Sequence, residues 1–403
     1  MNRIAATIAL FLIPVYFTDC QITVKGILLD KHTSHNVGDT IVLYGMRAIY
    51  NDSSYFIKDD QGYFRTVPSR KLLVLDEQMN YFDRKWFEKE AAAIIRHGWN
   101  NPGRIKIEKQ ALSYLADLKN NNLLYEDIYL QDYLLDLLKR IHPVSFYKGR
   151  TIFFTIKILN SEEEKIFSFE NGTILISTQL IANASDEKEL FESLVQAVAH
   201  VVFDHSYNNI DSFSTDTQKQ LGIIYSTELS QKGKQIAKDF MRYYTGNRNQ
   251  DILYHDNNYF MDKIANVVSY TAWQEYYSHH YIQSLYLLEK VIDAGFGIEE
   301  DYLLRAKLYQ ILRSDDNALN EALVSLDVAE SMGNQKLLEI YPEKGVLLMK
   351  MNKWEEALKA FRNYQELLMN QPDSALEMKW CIQMIHKCRQ QITANTGKPA
   401  LQE

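Results

Sequence analysis

The spacing of apolar and polar positions changes period along the chain. Over residues 37–45 (VGDTIVLYG) and 53–76 (SSYFIKDDQGYFRTVPSRKLLVLD) the two kinds of residue alternate around turn signals such as DDQG, which predicts short strands. From Phe82 the spacing becomes i, i+3, i+4, and amphipathic helices are predicted over 83–99, 107–121 and 127–143. Two strand-like runs follow, TIFFTIKIL (151–159) and GTILIST (172–178), and then a helix, ELFESLVQAVAHVVFDHS (189–206). A polar stretch over 206–220 reads as a loop or lid. Helices over 230–246 and 258–278 lead into a last third, 280–395, that is helical throughout.

That last third repeats. ALNEALVSLDVAESMG (318–333) aligns with KWEEALKAFRNYQELL (353–368) at a period of 35, so that Ala322 matches Ala357 and Leu326 matches Phe361. Gly345 stands where paired helices pack closely, and Pro372 follows the second copy. A period near 34 residues is that of tetratricopeptide helical hairpins. Within this region LLRAKLYQILR (303–313) and EKGVLLMKMN (343–352) take the inner-helix places. Ala306 and Gly345 are expected to face a neighbouring helix there. Lys307, Arg313, Lys344 and Lys350 are expected to face outward, free to meet an acidic or extended partner.

Composition narrows the function classes. A formal net charge of −8, with no large Lys/Arg cluster, excludes a nucleic-acid binder, which needs a basic footprint. The beginning of the chain, MNRIAATIALFLIPVYFTDC, has one basic residue, Arg3, and an apolar run from Ile4 to Phe17, which is signal-peptide anatomy. Thr18 and Cys20 fit the −3 and −1 places of a cut before Gln21. A lipoprotein cut before Cys20 and an uncleaved anchor are the rivals. The expected location is therefore exported, periplasmic or envelope-associated in a bacterium, with membrane contact only through this segment. Cys381 and Cys388 are seven apart on a helical pattern, about 10 Å along the axis, too far for a disulfide.

The helix over 189–206 carries the chemistry question. HExxH works because residues four apart share a helix face, so two imidazoles bind one zinc while the Glu activates water. Here the five positions read Gln196-Ala197-Val198-Ala199-His200. An amide is a poor zinc ligand, and a methyl group accepts no proton, so the general base is missing.

The surrounding forty residues, KIFSFENGTILISTQLIANASDEKELFESLVQAVAHVVFDHS (165–206), resemble the zinc metallopeptidase family of the CAAX prenyl protease, HtpX and the BepA-type peptidases. Phe167, Asn171, Gly172, Ile174, Ile176, Thr178, Leu180, Glu189, Leu190, His200 and His205 fall on the family pattern. The resemblance spans about 125–295. It implies a third ligand, a Glu three residues before an Ala-Asp pair on a following helix. In HDNNYFMDKIANVVSY (255–270), Met261-Asp262 take the Ala-Asp place and Asn258 the Glu place. Gln196, His200 and Asn258 thus occupy the ligand positions and Ala197 the general-base position, which implies no catalytic residue, no metal and no cofactor. The family's edge strand pairs with extended substrate. The resemblance therefore implies a groove along 172–178, with Phe167, Asn171, Gly172, Ile174, Ile176, Thr178 and His205 about it.

The expected fold class is α+β, mainly α. A signal peptide (1–20) precedes a small SH3-like β-rich domain (21–78), a metallopeptidase-like helical domain with a short sheet (80–290), and tetratricopeptide-like α-hairpin repeats (291–395). The expected function is that of a proteolytically inactive peptidase-like protein that binds protein or extended polypeptide through its repeats and a vestigial groove. Two alternatives stay open at this point. One is an active zinc metalloendopeptidase with rearranged ligands, His200 joined by His255, Asp256 or Glu192. The other is a purely structural envelope component.

Overall fold

The computed structural model describes residues 24–49, 52–74, 102–141, 154–202 and 254–396, except 33, 170, 314, 334–336 and 372–373. The signal segment, His205, Pro372, the helices expected over 83–99 and 230–246 and the stretch over 206–220 lie outside the described residues. The described chain is mainly helical with small sheets, as the period change anticipates, and it divides into two compact units.

The first unit holds the alternating stretches. β1 (Val24–Leu28) lies between β2 (Thr40–Leu43) and β6 (Leu72–Val74), and a second antiparallel sheet joins β3 (Gly45–Ile49), β4 (Asp52–Lys58) and β5 (Phe64–Pro68). The inward positions of that alternation, Leu28, Ile41, Leu43, Ile57, Val67 and Leu72, form one apolar core. The DDQG turn that ends β4 is held by Asp59, whose Oδ1 accepts the backbone N–H of Gln61 and of Tyr63.

The second unit begins with α1 (Pro102–Asn120), β7 (Leu124–Tyr125), α2 (Ile128–Ile141), β8 (Thr155–Leu159), β9 (Ile166–Ser168), β10 (Thr173–Ser177), α3 (Thr178–Asn183) and α4 (Glu187–Val202). Its sheet runs β7-β8-β10-β9, with β10 parallel to β8 and antiparallel to β9. Every residue of β10 is buried, and an unbroken run of this kind is what a strand covered on both faces requires. Asn171 and Gly172 make the tight turn into it. Gly172 sits at φ +91°, a conformation open to glycine, and Asn171 Oδ1 accepts the N–H of Thr173 at 3.1 Å.

Seven helices follow: α5 (Asn257–Tyr277), α6 (Tyr281–Asp293), α7 (Glu299–Leu312), α8 (Asp316–Met332), α9 (Leu337–Lys350), α10 (Trp354–Met369) and α11 (Ala375–Thr396). They pack in sequential pairs, α5 on α6, α7 on α8 and α9 on α10, with α11 closing the end against α10. The repeat register is visible in the core. Ala322 and Ala357 are fully buried at matching positions, as are Leu326 and Phe361, and one period earlier Leu287 and Val291 are buried too. A third pair, α5 with α6, thus precedes the two that the sequence marks. The boundary expected at residue 290 falls inside α6. α5 packs against both α3 and α6, so no break in packing separates the sheet from the helical pairs.

Small residues set the spacing, as expected of Ala306 and Gly345. Ala306 is buried against Ala322 and Leu326. At Gly345 a Cβ would come within 2.6 Å of the Phe361 ring. Cys381 and Cys388 are unpaired and buried on the inner face of α11, and the Cys381 thiol donates to the Phe361 carbonyl at 3.2 Å. Asp301 ties α7 to α5. Its Oδ2 accepts the Ser269 hydroxyl and the Ile298 N–H, each at 3.0 Å, and burial pushes its carboxyl above the ordinary aspartate value.

Candidate functional site

α4 starts on a reciprocal cap. Asp186 Oδ1 accepts the N–H of Glu189 at 2.8 Å, and Glu189 Oε2 accepts from both the N–H and the hydroxyl of Ser185. Leu190, Phe191, Leu194, Val195, Val198, Val201 and Val202 bury the helix, which packs against α2 and β9. Gln196 and His200 share one face and are half-buried, one turn apart, as the HExxH comparison requires. Ala197 is 2% exposed, so a methyl group fills the general-base position inside the packing.

Asn258 is exposed in the first turn of α5, and Met261, in the Ala-Asp place, is buried. The positions that the resemblance aligns with ligands and base thus hold two neutral amides, one imidazole and one methyl, a set that does not fit zinc. Among the described residues no three His, Cys, Asp or Glu side chains are grouped to hold a metal ion.

Two members of the rearranged set, His255 and Asp256, are engaged elsewhere. His255 Nδ1 lies 2.7 Å from Glu187 Oε2, at the N-terminal end of α4. His200 is in the last turn of that helix, about 20 Å away at 1.5 Å per residue. Two imidazoles on one zinc bring their nitrogens within about 4 Å of each other, so His255 and His200 do not share a metal. Asp256 is spent as the N-cap of α5, accepting the N–H of Tyr259 at 2.8 Å.

The group that α4 does organise is one the sequence reading passed over. Glu187 has a fully buried side chain. It accepts the Tyr133 hydroxyl at 2.9 Å, Arg140 Nη1 at 2.8 Å and the backbone N–H of His255 at 3.2 Å, besides facing the His255 ring. Burial alone raises its pKa, but the Arg140 and His255 hydrogen bonds outweigh it and hold the carboxyl below the ordinary glutamate value. The His255 ring in turn stacks on Tyr259 at 4.1 Å. A buried carboxylate with every near group already bonded to it is a structural joint between α2, α4 and the start of α5. Its partners lie 47, 54 and 68 residues away in sequence, so no local pattern announces it.

The groove expected along 172–178 is corrected. β10 is an inner strand, paired on both sides, and offers no backbone edge to an extended ligand. Ile174 and Ile176 are fully buried, and Phe167 belongs to the core around Leu175 and Phe169. Thr178 latches the loop before β9, its Oγ1 donating to the Ser161 carbonyl at 3.2 Å. Asn171 and Gly172 are the hairpin turn. Among the described residues β9 and β7 end the sheet, and β9 is packed against α4 with Phe167 and Ser168 buried. The unbroken run in TILIS carried the signal that β10 is covered on both faces.

Of the four cations expected to face outward, Lys350 and Arg313 are exposed, whereas Lys307 and Lys344 are half-buried between helices. Lys344 is 19% exposed and pairs with Asp327 at 2.6 Å and with Glu330. Burial works against its charge, yet the two carboxylates hold its pKa above the ordinary lysine value. Lys307 pairs with Glu343 at 3.5 Å, and Lys350 donates to Gln310 Oε1 at 2.9 Å. These three staple neighbouring helices together. Arg313 is exposed at the end of α7.

No protein-family model and no curated protein matches the chain.

Proposed function

We propose that this is an exported, proteolytically inactive metallopeptidase-like protein that holds polypeptide partners on a tetratricopeptide-like helical array, with an SH3-like unit at its N-terminal side. The observation that carries the reading is Ala197, a buried methyl at the place where a zinc peptidase of the resembled family keeps its base. Without a proton acceptor there, water is not activated whatever the helix binds. The helical pairs supply the binding half. Stacked hairpins present an extended curved surface. Net charge sets nucleic acid aside as a partner. Among the described residues no helix is long and apolar enough to cross a membrane, and the proposed membrane contact is the N-terminal segment alone.

The test uses fluorescein-labelled casein, an unfolded chain, with the full-length protein. The expected result is a rise in anisotropy with no fragments on a gel, unchanged by chelator, and no equivalent of zinc by mass spectrometry. Chelator-sensitive cleavage together with one bound zinc overturns the reading, as does failure to bind casein at all. A constructive version is Gln196→His with Asn258→Glu. It is expected to gain zinc affinity if the two helices converge in the family manner, and to need Ala197→Glu before any hydrolysis appears. A folded double variant without added metal affinity removes Asn258 from the ligand place.

A further inference from the structure

The corner where α5 turns into α6 gathers aromatic rings that the core does not need. Trp273, Tyr276 and Tyr277 lie 5.7–5.9 Å apart by ring centroid, Tyr281 joins Tyr276 at 5.7 Å, and the His279 ring lies 5.7 Å from Tyr281. Tyr277 is 65% exposed and Ile282 beside it 77%. Trp273, Tyr276 and Tyr281 are half-buried behind Tyr277, and Trp and Tyr are among the residues most enriched at protein-binding hot spots. The turn itself is costly. His279 sits at φ +64°, where glycine would be at ease, and in return its Nδ1 lies 2.7 Å from the Tyr281 hydroxyl.

The charge about this corner is mainly acidic. From Asn266 to Glu289 the chain holds no Lys or Arg. The loop before β9 carries three exposed acids in a row, Glu162, Glu163 and Glu164, and is fastened across the corner. Glu162 accepts the Ser278 hydroxyl, and Glu164 bonds Asn183, which in turn bonds Gln283 of α6 at 3.0 Å. Of the nearby cations, Lys165 pairs with Glu163 and offsets that charge, which leaves Glu162 and Glu164, and Lys290 donates to the Ala182 and Ala184 carbonyls at the end of α3.

We infer that the α5–α6 corner is the docking surface for a basic segment of a polypeptide partner, extended and bearing Arg or Lys. The inference rests on the polypeptide-binding reading above and gives that partner its charge. Aromatic faces attract guanidinium and ammonium groups, and Glu162 and Glu164 add the opposite charge within reach. Lys307 and Lys344 are held between helices by Glu343, Asp327 and Glu330, while Tyr277, Glu162 and Glu164 are exposed here.

The experiment measures fluorescence anisotropy of the full-length protein with two labelled Gly/Ser peptides of equal length, one bearing arginines and one bearing glutamates. The arginine peptide is expected to bind at least about tenfold tighter, with an affinity that falls as salt rises. Tyr277→Ser, at an exposed position, is expected to lose about tenfold with unchanged thermal stability. Glu162→Gln keeps an acceptor for Ser278 but removes the charge, and is expected to lose a few-fold and to flatten the salt dependence. His279→Gly is expected to hold or raise the melting temperature while weakening the peptide. Equal binding of the two peptides, or wild-type affinity in both Tyr277→Ser and Glu162→Gln, overturns the inference. If casein is still captured in that case, the polypeptide-binding reading stands and only the basic partner falls. If casein is not captured either, both fall.

Discussion

Glu187→Ala is expected to destabilise the second unit by about 3–5 kcal/mol, the cost of breaking a buried ion pair from one side. The substitution takes one acceptor each from the Arg140 guanidinium, the Tyr133 hydroxyl and the His255 N–H. Denaturant unfolding followed by circular dichroism measures it, and a loss below about 1 kcal/mol would show that the carboxylate is dispensable. The pH dependence has a definite sign. Because the folded state holds Glu187 below its ordinary pKa of 4.5, its stabilisation is complete above that value. It is lost as pH falls through the lower, folded-state value. Glu187→Gln, which keeps one acceptor and cannot ionise, is expected to remove that part of the acid sensitivity while costing less at neutral pH.

Gly345→Ala is the second large effect, a loss of about 1–3 kcal/mol from one added methyl. The new Cβ would meet Cε1 and Cζ of Phe361 at 2.6 Å and Cε2 at 2.9 Å. That ring is fully buried and held edge-to-face against Trp380 at 5.7 Å, so it has little room to yield. Phe361→Leu is expected to cost stability alone but to relieve part of the Gly345→Ala penalty, giving a favourable coupling in a double-mutant cycle. Strict additivity of the two would mean that α9 shifts away from α10 rather than straining against it.

What the sequence reveals, and what it hides, divides along contact range. Helical and strand periods, the repeat register at Ala322/Ala357, and the close approach at Gly345 are local signals or repeat in step, and the structure has them in place. The first helical pair is hard to see because α5 falls within the 125–295 stretch that carries the resemblance, although Leu287 and Val291 continue the same register. The strand at 173–177 has the unbroken apolar composition of an inner strand, which the resemblance to an edge strand conceals. Lys344, Lys307 and Lys350 look solvated in a helical pattern, and only the placement of the neighbouring helices puts Asp327, Glu330, Glu343 and Gln310 against them. Of the candidate site, the Gln196-Ala197-His200 face was legible because it lies on one helix. The Glu187 joint was not, since an acid in the first turn of a helix is ordinary on dipole grounds alone.

The two thiols of α11 give the closing pair of helices an internal reporter. Burial pushes the Cys381 thiol up to about 11 and raises Cys388 with it, so at neutral pH roughly one Cys381 in ten thousand is a thiolate. Both sulfurs are shut away from solvent. Alkylation therefore waits for α11 to lift from α10, and where reclosing is faster than alkylation its rate reads the population of the open state. A ligand that tightens the end of the array slows the labelling without touching either cysteine.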